Sequence, residues 1–205
     1  MSNQTARLIY IHDPMCSWCW GFRRVWQEVQ LALEGKIDIQ YILGGLAADS
    51  QQPMPKDMQI SIRGNWQRIQ QTIPNTEFNH DFWTLCQPRR STYPACRAII
   101  ACRMQQPHLE PEMLLAIQQA YYLEAQNPSD ESVLVSLAKK IGLDEEQFTA
   151  DIRSEACQNT LLQELNYSRR INVNSFPSLV LKQGKSCTLL DIDYNNSNLI
   201  INQIV

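Results

Sequence analysis

The stretch Asp13-Pro14-Met15-Cys16-Ser17-Trp18-Cys19-Trp20 decides how this chain is read. Before it, Arg7 to His12 is apolar, β-branched and aromatic, as in a buried strand, and Asp13-Pro14 stops it. After it, Phe22, Val25, Trp26, Val29 and Leu33 recur at spacings of three and four. That periodicity predicts a helix from Ser17 that stops near Gly35. Cys16 and Cys19 therefore stand where a strand hands over to a helix. Residues three apart share a helix face, with Cβ atoms roughly 5–6 Å apart, so a disulfide is within reach.

A thiolate, not a thiol, attacks a disulfide. At a helix start, unpaired backbone N–H groups and the helix dipole favour an anion, which suits Cys16 as nucleophile. Stepping from Cys19 by three and four leads into the apolar stripe, so Cys19 leans toward the core. The expectation is an exposed, attacking Cys16 and an inward, resolving Cys19.

Outward from this stretch, Ile37 to Leu43 reads as a second strand closed by Gly44-Gly45. Strand–helix–strand implies a parallel pair with a crossover helix. Residues 46–154 lose the strand signal. Gln51 to Lys56 is a proline-containing loop, followed by helices near Asp57–Ile73, Tyr93–Gln105, Pro111–Glu124, Glu131–Ile141 and Glu145–Ser154. Ser129 and Asp144 are candidate N-caps, and Gly142 a helix stop. A helix over Cys157–Arg170 comes next. Leu179-Val180-Leu181 and Cys187 to Ile192 form a hairpin around Gly184-Lys185, and Asn198 to Ile204 closes the chain as a helix. The fold expected is α/β. Residues 1–45 and 155–205 make one four-stranded sheet, and residues 46–154 are an all-helical insertion.

Composition excludes several classes. The chain has 205 residues, 44% hydrophobic and 19% charged, with a formal net charge of −3. Neither nucleic acid nor an anionic membrane is expected as partner, and no stretch has transmembrane length. Met1 to Thr5 is polar and Leu8-Ile9-Tyr10-Ile11 is too short for a secretory signal, so a cytoplasmic location is expected. Seven cysteines at irregular spacings argue against a disulfide framework. Cys96 and Cys102 lie on different helix sides, and Cys86, Cys157 and Cys187 are expected as buried thiols. A structural zinc site usually needs four ligands. With one C-x-x-C and only His12, His80 and His108, no metal is expected.

The element order, with C-x-x-C at the first helix, resembles the thioredoxin superfamily, and the long helical insertion resembles its DsbA-like branch. Asp13 to Gly21 is similar to the Asp-Pro-x-Cys-Pro-Trp-Cys-x-x-Gly pattern of FrnE-type dithiol oxidoreductases. Phe176-Pro177-Ser178-Leu179-Val180 resembles the segment carrying that family's cis-proline. Thr92 to Ala98 resembles a helix start in such insertions. The chain departs from the pattern at Ser17, in place of proline, and at Gly21, one position early. Tyr10 stands where many thioredoxin-like proteins have a buried carboxylate.

The resemblance implies a protein-disulfide oxidoreductase or isomerase. Its reactive disulfide would be Cys16–Cys19, with no other cofactor and with glutathione as a candidate co-substrate. Pro177 would shape the site, with Phe176, Ser178 and Trp18 against a thiol or disulfide substrate. A redox partner of unknown identity is also implied. His12 and Asp13 are the nearest candidates for proton transfer, although Asp13 also suits holding the turn. Trp20 suits either site or core. Arg89, Arg90 and Arg97 either line the cleft, where they would attract an anion, or form a solvated face. Two further readings stay open. One is a glutathione-dependent isomerase or transferase resembling 2-hydroxychromene-2-carboxylate isomerases and kappa-class transferases; the other is a non-catalytic module that binds a partner or metal.

Overall fold

The computed structural model describes residues 6–204, so the polar start Met1–Thr5 and Val205 lie outside it. Strand β1 (Arg7–His12) pairs in parallel with β2 (Asp38–Leu43), from Arg7 opposite Asp38 to His12 opposite Leu43. Its other edge pairs antiparallel with β3 (Ser178–Gln183), which forms a hairpin with β4 (Ser186–Leu190). The order is β2-β1-β3-β4.

β1 is central and covered on both faces, which is why its sequence is continuously apolar rather than alternating. Leu8 and Tyr10 face α1 (Ser17–Leu33), packing with Phe22, Val25, Trp26 and Val29, and with Ile200 of the closing helix Ser197–Ile201. Ile9 and Ile11 face the opposite side, with Val173 and Val180, beneath the helix Glu155–Arg170. Burying each such large side chain contributes roughly 1.5–3 kcal/mol.

Between the two sheet segments run α2 (Lys56–Thr72), α3 (Phe82–Leu85), α4 (Tyr93–Gln105), a 3-10 turn, α5 (Glu110–Tyr122), α6 (Glu131–Lys140) and α7 (Glu145–Ile152). Trp66 is fully buried at the centre of the insertion, stacked on Phe78 at 4.8 Å and surrounded by Phe82, Trp83, Tyr121 and Tyr122. The same core continues into Leu161 and Leu165 of the Glu155–Arg170 helix, here α8, while the closing helix is α9. α8 thus serves both the sheet and the insertion. Among the described residues, no helix is long and apolar enough to cross a membrane.

Several local expectations change. α3 has four residues, too few for a periodic signal. α6 is preceded by Asp130, and the Ser129 hydroxyl donates to the Ser91 carbonyl (2.7 Å) instead of capping. Asp144 does cap α7, accepting from the Gln147 N–H at 2.7 Å. Cys187 is exposed rather than buried, because β4 is an edge strand whose first four residues are all exposed, and Cys86 is only half-buried. Cys157 is buried as expected. At Gly44, just beyond β2, an added Cβ would lie 2.0 Å from the Phe176 ring. The chain must be bare there for Phe176 to reach its place beside the cysteines.

Candidate active site

Cys16 is the residue that caps the start of α1, with extended backbone angles (φ −82°, ψ 115°). Its N–H donates to the Asp13 carbonyl (3.0 Å), and its own carbonyl accepts from the Trp20 N–H (3.1 Å). The turn made by Asp13-Pro14 thus sets where the helix begins. The side chain is not at an exposed tip: Cys16 is only 5% exposed. Its thiol donates to the Phe176 carbonyl oxygen at 3.3 Å. The loop before β3 and the walls of the insertion cover the sulfur.

Cys19 is 1% exposed and, like Cys16, is a free thiol. Burial pushes its pKa well above that of an ordinary thiol. The neighbouring Cys16 thiol raises it further, against a smaller opposing pull from the Asp13 backbone N–H.

The Phe176–Pro177 peptide bond is cis. Phe176 and Cys16 line a cleft of about 400 Å³ together with Ser17 and Trp18. Across it, the insertion contributes Met54, Met58, Arg89, Arg90 and Tyr121. Trp18 is half-buried and packs on Tyr194 at 5.1 Å. Ser178 is placed differently: it is buried, and its hydroxyl donates to the Ser175 carbonyl (2.8 Å), holding the loop. Pro177 is buried behind Phe176.

A family-wide sequence pattern described as Thioredoxin matches residues 9–197. The chain belongs to the thioredoxin family. Among solved structures, one from Nitrosomonas europaea, provisionally described as a protein disulfide isomerase, superposes with a TM-score of 0.85 at 24% identity, covering 97% of this chain and 95% of that one. The cytosolic disulfide reductase DsbM from Pseudomonas aeruginosa gives 0.73 at 24% identity, covering 90% and 89%. These matches share the fold, a DsbA-like thioredoxin sheet with a helical insertion. The ClpXP adapter protein SpxH from Halalkalibacterium halodurans is 26% identical over 82% of this chain and 56% of its own length. SpxH from Bacillus subtilis is 22% identical over 82% and 55%. The chain spans about half the length of these curated relatives.

In this family member the two proton-transfer candidates have distinct surroundings. Asp13 is fully buried, and its carboxylate accepts from the Met15 N–H (2.8 Å), the Leu46 N–H (2.7 Å) and the Thr92 hydroxyl (2.6 Å). Burial raises its pKa above the usual carboxylate value, and those three bonds oppose the rise. It ties the end of β1 to the residues after β2 and to the start of α4. His12 is 1% exposed, stacked on Tyr10 at 5.0 Å, and neither ring nitrogen has a hydrogen-bond partner. Burial, with help from the charge of Arg103, pushes its pKa down to about 3. That environment favours the neutral ring.

Trp20 is half-buried. It stacks on Tyr122 at 5.6 Å, and its indole N–H donates to the Glu77 carbonyl (3.0 Å), pinning α1 to the insertion. Arg89 pairs with Asp130 at 2.5 Å, whereas Arg90 acts on Asp13 only through its charge. Arg97 is occupied outside the cleft by Asp49 (2.7 Å) and Gln158 (3.1 Å). Tyr194, Tyr121 and the two methionines of the far wall were not legible as site residues. They lie in segments whose apolar side chains look like ordinary core. Among the described residues, no three His, Cys, Asp or Glu side chains group as a metal site requires.

Proposed function

We propose that the protein is a thiol–disulfide oxidoreductase acting through Cys16 and Cys19. One observation carries the reading: two free thiols stand at the start of α1, and only Cys16 lines the cleft. The Cys16 thiolate attacks a substrate disulfide, one substrate sulfur leaves, and a Cys16–substrate mixed disulfide forms. Cys19 then attacks the Cys16 sulfur, releasing the second substrate thiol and leaving a Cys16–Cys19 disulfide. Cys19 suits the second step because burial keeps it a protonated, poorly competing thiol until then.

The cleft fits a small or extended disulfide. The Phe176 carbonyl beside Cys16 offers a backbone acceptor to a peptide N–H, and Trp18 offers an aromatic wall. The Arg90 guanidinium favours a substrate with carboxylates near its sulfur, of which glutathione disulfide is one. A solved structure described as DsbM with GSH, 23% identical to this chain, makes glutathione a reasonable first trial. A cytoplasmic setting suits unpaired thiols throughout the chain. The Asp13-to-Gly21 motif supports placement in the FrnE-type branch.

The test is a single turnover of reduced protein with glutathione disulfide, read by mass spectrometry after an acid quench. With each adduct assigned to its cysteine by peptide mapping, because exposed Cys187 can also react, a Cys16→Ser variant should form no adduct at the dithiol, and a Cys19→Ser variant should trap one glutathione on Cys16. Adduct formation on Cys16→Ser at the rate of the parent would remove the proposal. Equilibration with glutathione buffers then sorts reductase from oxidant, since a potential near or below the cytosolic poise marks a reductase.

The curated relatives favour a second reading, in which the cleft face holds a protein partner as an adapter does. A double Cys16→Ser, Cys19→Ser variant separates the two: an adapter keeps its partner, and an oxidoreductase loses its turnover.

A further inference from the structure

Cys19 does not line the substrate cleft, yet it is not sealed in. It borders a second, smaller chamber of about 80 Å³ on its other side. Tyr10 of β1, Tyr41 of β2, Arg23 and Gln30 of α1, and Gln118 of α5 line that chamber. Gln27, on its rim, is exposed, so the chamber communicates with solvent. At about 30 Å³ of liquid volume per water, it has room for two or three. The dithiol therefore separates two spaces, with Cys16 facing one and Cys19 the other.

We infer that the rear chamber is the route by which Cys19 loses its proton, with the Tyr10 hydroxyl linking the sulfur to solvent in the chamber. This rests on the oxidoreductase reading above. During resolution the substrate is still bonded to Cys16 and fills the front cleft, so a proton leaving Cys19 needs another way out. Neither Asp13 nor His12 supplies one. The Asp13 carboxylate is occupied by Met15, Leu46, Thr92 and the Cys96 thiol, and neither Asp13 nor His12 lines the chamber that Cys19 borders. Tyr10 and Cys19 line the chamber together, and burial, with the charges of Cys19 and Cys16, keeps the Tyr10 phenol protonated far above neutral pH. It thus acts as a relay rather than a base, accepting at oxygen while donating its own proton onward.

The step balances. The Cys19 proton passes to the Tyr10 oxygen as the Tyr10 proton passes to chamber solvent. The Cys19 thiolate forms the bond to Cys16, and the Cys16–substrate bond breaks with its electron pair on the substrate sulfur, which takes a proton at the front. The dithiol is oxidised and the substrate disulfide is reduced.

The titratable and charged groups facing Tyr10 and Cys19 are Cys16 and Arg23 of α1, His12 and Asp13 at the end of β1, Tyr41 of β2, Tyr122 of α5 and Tyr194 after β4. A Tyr10→Phe variant removes one oxygen and leaves these in place. In single turnovers with glutathione disulfide between pH 6 and 9, it should form the Cys16 adduct at the rate of the parent. The adduct should persist about ten-fold longer at neutral pH. The gap should narrow toward pH 9, where hydroxide removes the proton directly. Gln118→Leu, which makes one chamber wall apolar, should lengthen the adduct lifetime in the same sense. Unchanged lifetimes in both variants at every pH overturn the inference. So does slowing of adduct formation and decay by one common factor, which marks a structural effect. If the parent forms no adduct at all, the oxidoreductase reading itself fails, and the parent arm alone reveals that.

Discussion

Inside the sheet half, apolar and aromatic side chains fill both faces of β1. Inside the insertion, rings crowd around Trp66. The junction between the two shares some of that apolar core, through Met15, Leu43 and α8, and adds buried charge to it. At one point the Asp13 carboxylate gathers Met15, Leu46 and Thr92. At another, Glu164 of α8 accepts from the Leu43 N–H at the end of β2 (2.7 Å) and pairs with Arg103 of α4, which also pairs with Glu110 of α5 at 2.7 Å. Apolar burial is non-directional, so it fixes volume better than angle. A carboxylate with several donors fixes direction. The cleft has one wall from each half, so its shape depends on these directional ties more than on either core.

The strongest way to break that division is at Glu164, whose side chain is only 10% exposed. Glu164→Ala leaves the Leu43 N–H without its acceptor and the Arg103 charge with one partner fewer. The expected loss is about 3–5 kcal/mol, the usual cost of removing one member of a buried ion pair, read as a urea midpoint. A loss below about 1 kcal/mol would mean that the apolar cores alone hold the halves together.

Asp13→Asn is a milder cut, and pH reads it. The folded Asp13 pKa lies above its unfolded value of about 3.9, with burial as the main cause. Between those two values the folded chain holds more protons than the unfolded one. Its contribution to stability therefore falls as pH rises through the window and levels off above it. The asparagine lacks that slope but loses an acceptor position. It should be less stable than the parent by about 1–2 kcal/mol near pH 4, with the deficit shrinking as pH rises. Denaturant midpoints across the acid range check the sign, and a deficit that grows with pH would show that the hydrogen bonds outweigh burial.

The two halves also differ in how far their sequence could be read. β1, α1, β2 and the β3–β4 hairpin carry strong patterns, because each has to match a fixed period against one sheet. The Cys16–Cys19 pair was legible from its place between two of these patterns, whereas the Phe176-Pro177 turn was read from its resemblance to the family's segment. The burial of Cys16 was not, since what covers it comes from residues far away in the chain. The ion-paired set Arg103, Glu110 and Glu164 was equally hidden: each residue alone looks like a surface charge on a helix, and only packing brings them together. Thr92 stood within a recognisable helix start, but nothing local indicates that its hydroxyl donates to Asp13.

Arg90 tests the cleft rather than the scaffold. Arg89 is engaged by Asp130, so the charge left for a ligand is that of Arg90. Arg90→Gln should raise KM for glutathione disulfide about ten-fold, an effect that shrinks with added salt. It should leave kcat, and turnover of an uncharged disulfide, unchanged. Equal effects on charged and uncharged disulfides would place Arg90 in the structure of the wall instead.

The smallest expected effect separates two tyrosines beside the same dithiol. The Tyr122 hydroxyl is buried without a hydrogen-bond partner, while its ring stacks on Trp20 and meets Trp66 edge-on at 5.5 Å. Its pKa is pushed far up by burial first, and then by Tyr121, Cys16 and Cys19. The ring supplies the packing and the oxygen supplies only a desolvation cost. Tyr122→Phe should therefore leave stability unchanged or raise it by up to about 1 kcal/mol, roughly 2–4 °C in Tm for a chain of this size. Adduct lifetime should not change, in contrast to Tyr10→Phe. If Tyr122→Phe lengthens the adduct as much as Tyr10→Phe does, the proton leaves Cys19 through the insertion and not through the chamber behind β1.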